Sequence, residues 1–199
     1  MQEIKNIIFD MGRVLLKFDP QVSLDTYCET REDKELLYKE LFEGPEWIMG
    51  DEGSITNGQR YELVKERVPE RLHRALKLVV ENWVMCMEPV EGALDFYQLV
   101  KEKGYQTFVL SNACNRFYGY FPRFYDLGSF QGVVVSSDVK MIKPNPAIYE
   151  YILKTYDLKP EECLFIDDVE VNVEAAKAAG IKGFVFRNNY EELKELLGM

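Results

Sequence analysis

The chain has 199 residues, the size of one domain or of one domain that carries a modest insertion. Acidic residues outnumber basic ones by 34 to 24, which gives a formal net charge of -10 at neutral pH. This excess argues against nucleic acids and anionic membranes as partners, because the charge would repel both. An anionic substrate would therefore need a site that is locally positive.

The cysteines and the N-terminus bear on the compartment. The four cysteines, Cys28, Cys86, Cys114 and Cys163, match no metal-binding spacing. The first residues lead into an apolar strand rather than a cleavable signal, and no apolar run reaches membrane-spanning length. We therefore expect a cytoplasmic protein with reduced thiols. The single histidine, His73, argues against mechanisms that need several histidines or a serine–histidine pair.

The first half of the chain combines one apolar strand with a long stretch of helical pattern. Residues 4–9 predict a buried strand that ends at Asp10. From about residue 20 to residue 87, apolar residues recur at helical spacing without strand alternation. Within this stretch, Thr56 and Gln59 form a capping-box signature, which predicts the start of a helix.

Short apolar strands alternate with helices in the second half. The predicted strands are residues 107–110, 133–135, 164–166 and 183–186. This alternation predicts an α/β fold with a mostly parallel sheet that helices cover on both faces. The helical stretch interrupts the sheet after its first strand. We therefore expect a core formed by residues 1–18 and 88–199, with residues 19–87 inserted as an all-helical cap.

Polar residues follow several of the predicted strands. They are Asp10, the pair Ser111 and Asn112, the pair Asp167 and Asp168, and Lys143 in the loop beyond the strand at 133–135. In open α/β sheets, ligands bind beyond the carboxyl ends of the strands. Strand ends commonly meet polar loops, so one such residue means little. The set as a whole predicts a single site at one rim of the sheet.

Four segments, in this order and spacing, resemble the four motifs of haloacid dehalogenase-like hydrolases. They are residues 8–15 (IFDMGRVL), 109–112 (VLSN), 143–144 (KP) and 165–168 (FIDD). The resemblance covers essentially the whole chain, and the insertion lies where subclass I members place their cap. Bacterial glucose-1-phosphatases and the N-terminal phosphatase domain of soluble epoxide hydrolases are the members that it most resembles. The resemblance implies a Rossmann-like core with an inserted helical cap.

The resemblance also implies roles for the residues at the rim. Asp10 would attack phosphorus and form an aspartyl phosphate, which water then hydrolyses. Lys143 would neutralise Asp10 and one phosphoryl oxygen. Ser111 and the backbone of Asn112 would donate hydrogen bonds to the other oxygens, helped by the positive end of the following helix.

A magnesium ion is the implied cofactor, since Mg²⁺ prefers oxygen ligands. The resemblance assigns its ligands to Asp10, Asp168 and the backbone carbonyl of Gly12. Asp167 is expected to orient Lys143 or a water molecule on the metal. Asn172, one helical turn beyond Asp168, is a candidate for supporting this arrangement, and a solvated helix position is an equal alternative.

The first motif departs from the family pattern at Gly12. Most phosphatases of the family have an aspartate there, whose backbone carbonyl binds the metal and whose side chain protonates the leaving oxygen. Glycine keeps only the carbonyl, and general acid catalysis typically contributes about 10²–10⁴-fold to a rate. Asp51 and Glu52, in a predicted loop of the cap, are candidate substitutes, although a solvated turn is the favoured interpretation of both. Arg13 suits a substrate contact and a surface salt bridge equally well.

Three functions remain open at this point. The first is a Mg²⁺-dependent phosphatase, slowed by Gly12, that acts on a small phosphorylated metabolite such as a sugar phosphate or a nucleotide. The second is a 2-haloacid dehalogenase, against which the pair Asp167 and Asp168 argues because dehalogenation needs no metal. Arg31 and Arg60 lie in no context that marks a site for the substrate carboxylate. The third is a binding or regulatory protein whose chemistry has decayed. A monomer and a homodimer are both compatible with the sequence.

Overall fold

The computed structural model describes residues 3–199, and Met1 and Gln2, which the sequence assigns to the core, lie outside the described residues. Within the described residues, seven strands form two sheets. The strands are β1 (Asn6–Phe9), β2 (Leu16–Phe18), β3 (Met87–Pro89), β4 (Gln106–Ser111), β5 (Gly132–Val135), β6 (Cys163–Asp167) and β7 (Lys182–Val185).

A five-stranded parallel sheet of order β5-β4-β1-β6-β7 forms the centre of the fold. β1 lies in the middle, paired with β4 on one side and β6 on the other. All four of its residues are buried, as expected for a strand that is flanked on both edges and covered on both faces. The α/β fold with a parallel sheet, predicted from the sequence, is confirmed.

The second sheet is a short antiparallel ribbon, which the sequence pattern did not reveal. β2 pairs with β3, with Phe18 opposite Met87. Each strand has only three residues, too few to show a two-residue alternation. The ribbon lies where the chain leaves the core and returns to it, so residues 18 and 87 are neighbours in space.

Between β2 and β3 the chain is helical, and we call residues 20–86 the helical insert. Its helices are α1 (Pro20–Tyr27), α2 (Arg31–Leu37), α3 (Pro45–Asp51), α4 (Asn57–Lys65) and α5 (His73–Asn82). The predicted capping box of Thr56 and Gln59 is present at the start of α4. The insert has its own apolar cluster, which includes Leu24, Leu41 and Leu76.

Six further helices cover the sheet. They are α6 (Ala93–Glu102), α7 (Phe117–Tyr120), α8 (Ser136–Val139), α9 (Pro146–Thr155), α10 (Glu170–Ala178) and α11 (Tyr190–Leu197). Side chains alternate along β1, so Ile7 and Phe9 join one apolar cluster and Ile8 joins the other. No helix within residues 3–199 combines the length and the apolar character that a membrane span requires.

A buried arginine fixes the shape of the helical insert. Arg60 is 1% exposed and donates to the carbonyls of Glu46 and Trp47 at 3.2 and 3.3 Å. Its guanidinium also lies 4.4 Å from the centre of the Trp47 ring. This packing requires glycine at position 50, because a Cβ there would lie 1.7 Å from the Nη2 atom of Arg60. Arg60 thus holds α3 against α4.

We expect Gly50→Ala to lower the free energy of unfolding by about 1–3 kcal/mol, the usual cost of overpacking a filled interior. Gly58→Ala, in α4, is the matched control, because its Cβ would meet only the Thr56 hydroxyl oxygen, at 3.9 Å. Urea unfolding of both variants measures the difference. Equal stability of the two variants would contradict this account of Arg60.

Candidate active site

The carboxyl ends of three neighbouring strands bring the predicted polar residues together. Asp10 follows β1 directly, and its backbone N–H donates to the carbonyl of Ile166 in β6 at 2.8 Å. Ser111 is the last residue of β4, and Asp167 is the last residue of β6. Lys143 reaches the same rim from the loop between α8 and α9.

Lys143 links two carboxylates at this rim. Its Nζ atom lies 2.7 Å from Oδ1 of Asp10 and 2.7 Å from Oδ2 of Asp167. The side chain of Lys143 is 1% exposed, that of Asp167 is fully buried, and that of Asp10 is 11% exposed. Asp10 is therefore the member of the trio that a ligand can reach.

The charges of the trio are coupled. Burial by itself lowers the pKa of Lys143, but the attraction of Asp10 and Asp167 outweighs this effect, so the pKa lies above its usual value. Burial raises the pKa of Asp10 above its usual range, and the ammonium group of Lys143 opposes this shift. One ammonium group cannot neutralise two carboxylates, so the trio favours a further cation.

Asp167 is held by a complete set of hydrogen bonds. The backbone N–H of Val169 donates to Oδ1 at 2.8 Å, and the amide of Asn172 donates to both oxygens at 3.2 and 3.1 Å. Asn172 is itself buried, and its backbone carbonyl accepts a hydrogen bond from the Tyr149 hydroxyl at 2.8 Å. The alternative of a solvated position for Asn172 is therefore wrong. Both residues support the position of Lys143.

Asn112 holds the backbone of Lys143. Its amide nitrogen donates to the carbonyl of Lys143 at 3.0 Å, and its amide oxygen accepts from the N–H of Lys143 at 2.8 Å. The sequence did not predict this use of the Asn112 side chain.

The expectation that the positive end of a following helix helps to bind the phosphoryl oxygens is wrong, because α7 begins only at Phe117 and has four residues. Gly119 and Pro122 explain its shortness, since both are poor residues for a helix interior.

The acidic residues of the rim offer an oxygen site for a metal ion. Asp10, Asp167 and Asp168 each present an oxygen, and these oxygens lie within 4.8 Å of one another. Carboxylate oxygens suit a hard cation such as Mg²⁺. Because Asp167 already accepts several hydrogen bonds, Asp10 and Asp168 are better placed to act as metal ligands.

Arg13 lies 3.6 Å from Asp168 and is largely exposed, so the salt-bridge interpretation of Arg13 matches the structure.

Ser111 carries a buried hydroxyl that has no hydrogen-bond partner among residues 3–199. An unpaired buried hydroxyl costs about 1–3 kcal/mol, so such groups normally have a partner. The position of Ser111 at the end of β4, beside β1, suits a bond to an oxygen atom of a ligand held at Asp10.

A cavity of about 110 Å³ lies between the rim and the helical insert. Its apolar wall consists of Met11, Phe18, Trp47, Trp83, Met87 and Tyr120. Gly12, Asn112 and Asp51 also line it. The indole N–H of Trp83 is buried without a hydrogen-bond partner in the described chain. Larger clefts exist, but the one at residues 3–6 and 103–106 lies at the opposite end of the strands.

A family model described as haloacid dehalogenase-like hydrolase matches residues 4–180 of this sequence. The chain belongs to the haloacid dehalogenase-like hydrolase family. The resemblance found in the four sequence motifs is thereby confirmed.

Two curated relatives match this chain over nearly their full length. The sesquiterpene phosphatase astK of Aspergillus oryzae is 25% identical over 198 residues, covering 98% of this chain and 97% of the relative. The D-ribitol-5-phosphate phosphatase of Bacteroides thetaiotaomicron is 25% identical over 218 residues, covering 97% of each chain.

Solved structures of the family share the fold. One is the wild-type enzyme bt-2542 of Bacteroides thetaiotaomicron in complex with magnesium and inorganic phosphate. It matches with a TM-score of 0.70 at 23% identity, covering 96% of this chain and 98% of that chain. This likeness supports the assignment of the fold. The chemistry has to be argued from the residues of this chain.

The part of the site that sequence reasoning missed comes from the helical insert. Trp47 and Trp83 form much of the cavity wall, although no motif marks them. Asp51, for which a solvated turn was the favoured interpretation, is the last residue of α3 and faces the cavity. Only the path of the insert over the core reveals these positions.

We expect Lys143→Met to lower the free energy of unfolding by about 3–5 kcal/mol, because it leaves two buried carboxylates without their cation. Lys177→Met is the matched control, since Lys177 forms an exposed pair with Glu174 and its loss should cost at most about 0.5 kcal/mol. The measurement is urea unfolding in EDTA. Similar losses for both variants would contradict the role given to the buried ammonium group.

Proposed function

We propose that this hydrolase cleaves a small phosphate monoester with the help of Mg²⁺, through a covalent phosphoryl group on Asp10. The observation that carries the proposal is the reachable carboxylate of Asp10, held 2.7 Å from the buried ammonium group of Lys143. A carboxylate is a competent nucleophile when a fixed cation lowers the repulsion of an anionic substrate.

The surrounding residues suit the oxygens of a phosphoryl group. Lys143 would donate to one of them while it keeps its bond to Asp167. The unpaired hydroxyl of Ser111 would donate to another. Asn112 and Asn172 would act indirectly, by fixing Lys143 and Asp167. Preorganised donors of this kind stabilise the transition state without reorganisation during the reaction.

The residues present also suit the proposed magnesium ion. Asp10 and Asp168, together with the backbone carbonyl of Gly12, would hold it. The ion would supply positive charge against the phosphoryl oxygens, which the overall acidity of the chain makes necessary. The complex of bt-2542 with magnesium and inorganic phosphate supports this proposal by analogy.

The cavity favours a small substrate. Its volume of about 110 Å³ lies below the roughly 300–1,000 Å³ typical of pockets for larger ligands. Among the substrates compatible with the sequence, a compact phosphate ester fits this space better than a nucleotide does. We further propose that residues 19–87 act as a cap that closes over the substrate.

The dehalogenase alternative finds little support in the arginine residues. Arg60 is buried and already donates to backbone carbonyls of the insert, so it is poorly placed to bind a substrate carboxylate. Arg31 forms an ion pair with Glu35, and its side chain is 87% exposed. The acidic pair Asp167 and Asp168 favours metal-dependent chemistry instead.

We expect slow, Mg²⁺-dependent hydrolysis of p-nitrophenyl phosphate by the wild-type protein and none by Asp10→Asn, which lacks the nucleophilic oxygen. Asp95→Asn, an exposed position on α6, is the matched control and should retain the wild-type rate. Release of p-nitrophenolate measures the rate.

Three outcomes would contradict the proposal. If Asp10→Asn retained turnover, Asp10 could not be the nucleophile. Chloride release from 2-chloropropionate without metal would favour the dehalogenase. Binding of inorganic phosphate without any turnover would favour a protein that has kept the site and lost the chemistry.

We also expect Mg²⁺ to raise the Tm of the protein. At a concentration of about 100 times its Kd, an ion that binds only the folded state stabilises it by about 2.7 kcal/mol. Asp168→Asn should reduce this shift, because it removes a charged ligand, whereas the exposed control Asp138→Asn should not. Thermal unfolding with and without Mg²⁺ is the measurement. An identical shift in both variants would refute the assignment of Asp168.

A further inference from the structure

Asp51 brings a carboxyl group from the helical insert to the cavity above the rim. It is the last residue of α3 and lines the same cavity as Gly12 and Asn112. Among the residues that line this cavity in the described chain, Asp51 is the one with a carboxyl group. Glu52, the other candidate from the sequence, does not line it.

Several contacts fix Asp51 to the core. Its backbone carbonyl accepts from the hydroxyl of Ser136 at 2.5 Å, and the same hydroxyl oxygen accepts from the N–H of Ala113 at 2.9 Å. The backbone N–H of Cys114 lies near the Asp51 carboxyl group and favours its charged form. The residue is therefore tied to the loop that follows Ser111, next to the proposed phosphoryl site.

The surroundings of Asp51 favour its protonated form. Burial raises the pKa of Asp51 to about 7, the Arg60 guanidinium and the Cys114 N–H oppose the shift, and the charge of Asp10 adds to it. A large fraction of the group thus carries a proton near neutral pH. A general acid works best when its pKa lies near the working pH.

The core itself lacks an acid at the place where the family pattern has one, because position 12 is glycine. We propose that Asp51 is the general acid of this enzyme and protonates the leaving oxygen of the substrate. This inference rests on the proposed function and adds a catalytic residue to it. The acid and the nucleophile then come from different parts of the chain.

The two steps balance as follows. In the first step, an Asp10 oxygen bonds to phosphorus, the ester P–O bond breaks, and the Asp51 proton moves to the departing oxygen, which yields an alcohol. In the second step, the oxygen of a water molecule bonds to phosphorus, the bond between phosphorus and the Asp10 oxygen breaks, and the water gives a proton to the Asp51 carboxylate. This step releases phosphate and restores both aspartates.

The test compares two substrates that differ in their need for a proton. The p-nitrophenolate ion leaves without protonation, whereas the alkoxide of n-butyl phosphate does not. The parameter to compare is kcat/KM, which reports the steps up to departure of the leaving group and excludes the later hydrolysis step that both substrates share. For Asp51→Asn, we expect kcat/KM on n-butyl phosphate to fall by about 10²-fold or more, and kcat/KM on p-nitrophenyl phosphate to change little. Glu52→Gln is the matched control and should change neither rate.

A second variant tests the role by rescue. A Cβ at Gly12 would meet only Oδ2 of Asp10, at an ordinary distance of 3.8 Å, so the position accepts a Cβ atom without a clash. Gly12→Asp in the Asp51→Asn background should restore turnover of n-butyl phosphate, because it returns an acid to the cavity. Unchanged Tm values for the single and double variants would show that the fold is intact.

The outcomes separate this inference from the proposed function. An equal loss of kcat/KM on both substrates in Asp51→Asn, without rescue by Gly12→Asp, would overturn the acid role and leave the proposed nucleophile Asp10 unaffected. Failure of the wild-type protein to hydrolyse either substrate with Mg²⁺ would overturn the proposed function and the acid role together. Selective loss on n-butyl phosphate with rescue would support both.

Discussion

The rest of the site depends on one buried ammonium group that bridges two carboxylates. Without Lys143, Asp10 and Asp167 would place two negative charges in a region with little water, which folded proteins avoid. The surrounding hydrogen bonds serve this arrangement, since Asn112 fixes the Lys143 backbone and Asn172 fixes Asp167. When both carboxylates are ionised, these three residues together carry an excess negative charge. A bound cation would neutralise it and would thereby also stabilise the ordered site.

The sheet explains why these groups meet. β1 is the central strand, so its carboxyl end has neighbours on both sides, and the polar residues of β4 and β6 converge on Asp10. An insertion directly after β1 must pass over the same rim, because β2 and β3 leave and re-enter the core as one ribbon. The topology therefore brings side chains of the helical insert to the cavity at this rim.

The sequence predicted the core well because its information there is local. Each apolar strand is followed by polar residues, and the four motifs mark which of these residues to consider. Together the two patterns were enough to find Asp10, Lys143 and Asp167. Other features depend on contacts between distant segments. Ser136 reaches Asp51 across 85 positions, and Asn112 reaches Lys143 across 31, so no local pattern encodes either contact. The ribbon was missed because three-residue strands carry no measurable periodicity.

The packing of Arg60 against α3 has a consequence for substitutions at the end of that helix. Two of the contacts that hold α3 are hydrogen bonds from Arg60 to the backbone carbonyls of Glu46 and Trp47. Backbone carbonyls are present whatever side chains the helix carries. A substitution at the cavity-facing end of α3 would therefore change the chemistry of the cavity wall while these backbone contacts stay in place.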